Sequence, residues 1–410
     1  MNTQEILDQL NAEGNEGLAR LSMQAIVDSA KKRRPFVLVT DDIFPEIPVA
    51  MNISAAIMTV AGAYGTAGAE GPGNIDRATE LGIETRLCAS VKVAAWLVLS
   101  GQIPKPDAII TTNSPCDAVQ SLGQLLDNYK PWADVPRFYL DAPHGNDKDS
   151  FSYLGKQLQE CVAFLEGIAG RKLDRQRLLE VCNESNKQMQ LLLELQELKR
   201  ATPCPFDPDL PRKGWQLGRW VAPIIPEIYP RVTGWIEQAL AAAEGQAKAG
   251  LGIPGVNEKI RYLWYDVSPI WAGKLFPRLR QELGAVDIMT YYSYMIDEMI
   301  DTTDEDSIFE SIARKYLMAT PMTRQAMHTA DIYCQDVVRI CRDFKCDAMI
   351  MPSHVGHRDT NSYYHVVKDV CRENGIPFMF IGCDVWDERY MSPDVVFDRM
   401  KTFFQVMGLA

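Results

Sequence analysis

Two cysteines and two histidines stand where chemistry can be done. Cys88 opens the apolar stretch ASVKVAAWLVLS, and Cys116 closes PDAIITTNSPC, so one thiol is expected at a helix start and the other at a strand end. A thiol at a helix N-terminus has a lowered pKa, and the thiolate is the form that binds iron or zinc. Neither has another cysteine at two-residue spacing, which excludes a zinc ribbon and leaves any metal site to be assembled by the fold. His354-x-x-His357 falls in an expected loop, where two imidazoles suit a metal or a phosphate. The plainer alternative is a polar loop capped by Asp359 or Thr360.

Other chemistries lack their anchors. The glycine-rich segment AGAYGTAGAEGPG, residues 61–73, contains no G-x-G-x-x-G after a strand and no Gly-Lys-Ser/Thr, so it reads as a flexible or substrate-facing loop. No G-x-S-x-G elbow exists for a serine hydrolase. DEMIDTTDEDS, residues 297–307, lacks the alternating ligands and central glycine of a calcium loop and reads as a solvated surface segment. The remaining cysteines read as buried small hydrophobes.

The elements that must position these residues follow from periodicity. Residues 1–34 read as a helical segment, with Ile6, Leu7, Leu10, Leu18, Leu21, Ile26 and Val27 on one face and Lys31-Lys32-Arg33-Arg34 at its end. Strands are expected at Phe36–Thr40, Ala108–Thr112 and Arg137–Asp141, with helices at Val91–Ser100 and Asp117–Asn128 between them. From about Phe151 to Arg200 the period is 3.6 throughout, giving two helices separated at Gly170, and the proline-rich ATPCPFDPDLPR, residues 201–212, marks a linker. Strands return at Ile260–Asp266, Val286–Thr290, Asp347–Pro352 and Pro377–Cys383, with helices around Trp271–Leu283, Pro321–Asp343, Ser362–Asn374 and Ser392–Val406.

The expected architecture is α/β: two Rossmann-like parallel-sheet domains with a helical N-terminus and a helical insert. Its divisions are 1–34, 35–150, 151–255 (helical insert and proline-rich linker) and 256–410. Ligands in such sheets bind at the carboxyl ends of strands, where the loops at Asn113–Asp117, Ser353–Asp359 and Cys383-Asp384 fall.

Composition narrows the function classes. Apolar residues make up 47% and charged residues 23%, which is ordinary for a globular chain. The net charge of −12, with no basic block interleaved with aromatics, argues against nucleic acid. No apolar run approaches the ~18 residues of a membrane span and no signal-type leader opens the chain, so no membrane partner and a cytoplasmic location are expected.

Five segments taken in order resemble a known family. They are Cys88-x-x-x-Lys92 with Gly101 after the helix, PDAIITTNSPCD, D-x-M-I-x-x-x-H-x-G-H-R from Asp347, ENGIP-x-x-x-I from Glu373, and D-x-x-D-x-R-x-x-S from Asp384. This order and spacing, over about Arg34 to Gly408, is similar to the 2-hydroxyacyl-CoA dehydratase and benzoyl-CoA reductase subunits. The resemblance implies an oxygen-sensitive subunit of an (R)-2-hydroxyacyl-CoA dehydratase using ketyl radical chemistry on an acyl-CoA thioester. It also implies a homologous second subunit in a heterodimer, an ATP-hydrolysing iron–sulfur activator, and one [4Fe-4S] cluster per chain. Alternatives within it are a benzoyl-CoA-type or double-cubane ATP-driven reductase, and a non-catalytic partner subunit lacking a complete cluster site.

Carried onto this chain, Cys88 and Cys116 match the family's first two ligating cysteines, while His357 stands where the third cysteine is usual. His357 or Cys383 is then expected as the third ligand, with Cys346 placed at the wrong end of its strand. Ser114 and Ser353 are expected to donate hydrogen bonds around the cluster. Asp384, Asp387 and Arg389 match an acidic and basic group at a strand end, expected to tie that loop down as an ion pair.

Overall fold

A computed structural model of the chain describes residues 22–29, 34–42, 44–304 and 307–409. Residues 22–29 are helical; Ile6, Leu7, Leu10, Leu18, Leu21 and Lys31-Lys32-Arg33 of the expected first segment lie outside the described residues. Four parallel strands, β1 (Phe36–Val39), β2 (Ser54–Ile57), β3 (Ala108–Thr112) and β4 (Arg137–Leu140), form one sheet in the order β2-β1-β3-β4. A second sheet contains β5 (Ile260–Trp264), β6 (Ala285–Thr290), β7 (Ala348–His354) and β8 (Phe378–Cys383) in the order β6-β5-β7-β8. The two sheets therefore repeat one strand order, and the molecule is an α/β protein of two Rossmann-like units. β1, β2, β3, β5 and β6 are buried along their whole length, as strands covered on both faces must be.

That order fixes where ligands can go. In each sheet the winding reverses between its first and third strands, so the crevices open at the carboxyl ends of β1 and β3 and of β5 and β7. Thr40 to Asp42 and Asn113 to Cys116 lie at the first crevice, and Tyr265, Asp266 and His354 to His357 at the second.

The helical insert begins with Lys148–Ala169 and Arg175–Leu198. Asp147 and Asp174 cap them by accepting from the N–H groups of Ser150 and Arg177, and Gly170 ends the first in the left-handed conformation. Tyr229–Lys248 follows the proline-rich stretch. The core around β1 and these helices also takes in Ile308, Ile312 and Tyr316 from Ile308–Ala319, a helix from the later part of the chain. The helix expected over Pro321–Asp343 is broken into Pro321–Ala326 and Ala330–Asp343. Between them Thr329 is extended, and His328 turns its ring to the carbonyl of Leu317 at 3.0 Å.

Two elements differ from the sequence reading. β2 is not among the expected strands, because the short, small-residue SAAI carries little strand signal. Residues 61–73 are not a loop: they belong largely to the helices Met58–Gly65 and Gly71–Glu80. Gly62 is there for close approach. A Cβ on it would lie 1.9 Å from the carbonyl oxygen of Ser90 and 2.7 Å from the amide nitrogen of Ala94, both on the neighbouring helix Ala89–Leu99. Gly62→Ala is expected to lower stability by about 2 kcal/mol, the overpacking cost exceeding the roughly 1 kcal/mol that alanine gains in helix propensity. Urea denaturation checks it, and an unchanged midpoint would contradict the close contact.

Candidate metal centre

Cys88 is the N-cap residue of Ala89–Leu99, and its side chain is buried at the floor of a cavity between the two crevices. Its Sγ lies 3.3 Å from Ser90 Oγ and 3.4 Å from His354 Nε2. His354 ends β7 and His357 follows one turn later; their rings stand edge to face with centroids 4.4 Å apart. One donor atom from each of Cys88, His354 and His357 lies within 4.8 Å of the other two, and all three residues are buried.

Carboxylates back both imidazoles. His354 Nδ1 is 3.3 Å from Asp384 Oδ1 and also 3.3 Å from the amide nitrogen of Val385. His357 Nδ1 is 3.3 Å from Asp266 Oδ1. Burial, reinforced by the neighbouring His357, holds the His354 pKa well below its ordinary value, so this ring is neutral, the form in which imidazole can ligate. Burial pushes the Asp384 carboxyl up to about 6. Asp41, at the end of β1, also lines the cavity; burial chiefly, with the charge of Asp42, raises it to about 7. Asp42 is paired with Arg219 at 3.3 Å.

Gly356 allows this convergence. A Cβ there would lie 2.6 Å from Cys88 Cα, 2.8 Å from its Cβ and 2.9 Å from His354 Nε2, so only glycine lets the loop after β7 close onto Cys88.

The remaining expected residues are placed as follows. Cys116 is the N-cap residue of Asp117–Asn128, half-buried, and lines the same cavity as Cys88 and His357. Ser114 is fully buried in the loop before it, its Oγ 3.4 Å from Thr323 Oγ1. Ser353 is half-buried on β7, opposite Gly382. Cys383 pairs in register with His354 and is buried in the second sheet's apolar cluster, which also holds Trp264, Val396 and Met400. Burial, with Asp266 and Asp384 nearby, drives its pKa up. Cys161, Cys182 and Cys204 are buried thiols raised by the same desolvation. Arg389 forms the expected ion pair with Asp387 at 2.8 Å and reaches Asp76 at 2.9 Å, tying the loop after β8 to the helix Gly71–Glu80.

The structure thus brings Cys88, Cys116 and His357 to one cavity, whose lining does not include the buried Cys383. It puts His354, the first imidazole of that loop, in contact with Cys88, and adds Asp41 and Asp266 to Asp384 as nearby carboxylates. The rule that selected the loops after β3 and β7 also points to Asp41 and Asp266, which follow β1 and β5.

These features define a class: a two-sheet α/β protein with a buried cysteine–histidine group where two switch points face each other. The chain belongs to the 2-hydroxyglutaryl-CoA dehydratase D-component family, whose model matches residues 45–407. It is 21% identical over 332 residues to the alpha subunit of the lactoyl-CoA dehydratase of Anaerotignum propionicum, covering 75% of this chain and 71% of that one. It is 23% identical over 362 residues to a benzoyl-CoA reductase subunit of Thauera aromatica, covering 82% and 80%. A shorter match, 24% over 143 residues, joins it to the (R)-phenyllactyl-CoA dehydratase alpha subunit of Clostridium sporogenes, covering 32% and 34%. Among the described residues no helix is long and apolar enough to cross a membrane.

Proposed function

We propose that the chain is a subunit of a cytoplasmic, oxygen-sensitive (R)-2-hydroxyacyl-CoA dehydratase, acting beside a homologous subunit that carries the [4Fe-4S] cluster. An ATP-hydrolysing activator delivers the electron for ketyl chemistry to that assembly. Support comes from the family match, from relatives named as subunits of dehydratases and a reductase, and from a buried group of cysteine and histidine donors close enough to share a metal at the facing switch points.

The donor set is what supports giving the cluster to the other subunit. A cubane is held by thiolates, each on a different iron, so its ligand atoms stand apart around the cluster. Here the cavity is lined by two cysteines, Cys88 and Cys116, and the donors that do converge touch each other. This chain's part is to complete the dimer and close the acyl-CoA site.

The test is anaerobic co-production of the chain with its homologous subunit, followed by iron and acid-labile sulfide analysis and turnover of 2-hydroxyacyl-CoA thioesters with activator and ATP. About four irons and four sulfides per heterodimer, with dehydration requiring both chains, is the expected result. Roughly twice that content would put a cubane in this chain as well, with His357 as its third ligand beside Cys88 and Cys116. Reduction of an aromatic acyl-CoA in place of dehydration would move the assembly to the reductase class, and no turnover of any thioester would overturn the assignment.

A further inference from the structure

We infer that Cys88, His354 and His357 bind a single divalent metal ion of the zinc type through one sulfur and two nitrogens, with the fourth position open to the cavity. Distances carry this first. A tetrahedral ion with a metal–sulfur bond of about 2.3 Å and metal–nitrogen bonds of about 2.0–2.1 Å sets its sulfur and nitrogen donors about 3.5 Å apart. Cys88 Sγ and His354 Nε2 are 3.4 Å apart, and the third donor lies within 4.8 Å of both. Donors at contact distance share one ion; they cannot each hold a separate iron.

The surroundings point the same way. A histidine that ligates through one ring nitrogen characteristically donates its other N–H to a carboxylate, which fixes the tautomer and raises the basicity of the ligand. His357 has that partner in Asp266, at 3.3 Å from Nδ1; His354 Nδ1 instead accepts from the Val385 N–H at 3.3 Å, with Asp384 Oδ1 3.3 Å away. The second oxygen of Asp266, itself 1% exposed, has no hydrogen-bond partner among the described residues, so a buried carboxylate sits here with half its capacity unspent beside the imidazole it would polarise.

Two of the three donors, Cys88 and His357, line a cavity of about 70 Å³. At about 10–15 Å³ of such space per water it has room for several waters beside an ion. Three protein ligands and a fourth position open to that cavity is the arrangement of a reactive rather than a structural zinc site. Mixed nitrogen and sulfur ligation in a tetrahedron selects zinc over calcium or magnesium, with ferrous iron as the competitor.

The inference rests on this chain's geometry and stands whether or not the dehydratase assignment holds, since ion content is read without substrate. The experiment is metal analysis of the full chain purified without oxygen, then chelation and titration with Zn²⁺, Fe²⁺ and the spectroscopic probe Co²⁺. One ion per chain with no acid-labile sulfide, and a cobalt spectrum showing tetrahedral bands with thiolate charge transfer, is the expected result. Cys88→Ser and His357→Ala should abolish both signals, while Cys116→Ala and Cys383→Ala keep them. Asp266→Asn leaves every donor in place, so it tests the site even if a ligand variant fails to fold; it should weaken binding 10–100-fold. Iron and sulfide in equal amounts that disappear in Cys116→Ala, or a chain that takes up none of the three ions, would overturn the inference.

Discussion

Lys199→Met should make the protein about 3 kcal/mol more stable at pH 7 and no more stable than the parent at pH 10.5. Lys199 ends the long helix of the insert, and its side chain is fully buried, with the ammonium 3.6 Å from the sulfur of Met289. Burial is the largest influence on it and pushes its pKa down to about 8, outweighing the raising effect of Cys204, Asp209, Asp287 and Asp207. An unfolded lysine titrates near 10.4, and each tenfold change in proton affinity corresponds to about 1.4 kcal/mol.

The sign follows from proton counting. Below pH 8 both states carry the proton and the folded state bears the full cost of the buried charge. Between about 8 and 10.4 the unfolded state binds more protons than the folded one, so stability rises with pH. Above that range both are neutral and the cost is gone. Methionine fills similar volume without a charge and removes the cost at every pH. Urea midpoints of parent and variant, compared at pH 7 and at pH 10.5, measure it; a gain that did not shrink with pH would assign the effect to packing instead.

The fold is largely legible in the sequence because parallel strands buried on both faces are short apolar runs bounded by turn residues. Ala108–Thr112 is found where expected, and the other expected strands are within two residues of their places. β2 and the helices of residues 58–80 are not legible, since small residues and glycines carry little periodic signal, and the reason for Gly62 lies on another helix. The site divides in the same way. Strand order and the rule for carboxyl ends select Cys116 and the His354–His357 loop, and the helix-start rule selects Cys88. The contact between Cys88 and His354 joins residues 266 positions apart and depends on how two sheets face each other, which no local pattern encodes. Asp266 is within reach of the carboxyl-end rule, but beside Tyr265 it reads as the polar end of a strand, and its role comes from its distance to His357.

Gly356→Ala is expected to abolish metal uptake and to cost about 1–3 kcal/mol, although it adds one methyl group and removes no donor. Gly356 is not among the glycines with positive φ, so backbone strain does not enter. The added carbon would meet Cys88 Cα at 2.6 Å and His354 Nε2 at 2.9 Å. One neighbour is main chain at the start of a helix and the other is the atom proposed to ligate, so neither can yield without moving the donors apart. Interiors are close-packed and relax little around such an insertion. Gly234→Ala is the matched control: it lies in the helix Tyr229–Lys248 with nothing within 4 Å of its Cβ position, and alanine there should raise stability by up to ~1 kcal/mol while leaving metal content unchanged. Metal analysis and denaturation of the two variants separate a contact specific to the centre from a general cost of replacing glycine. Metal content retained in Gly356→Ala would show that the loop after β7 does not need to close on Cys88 for the ion to bind.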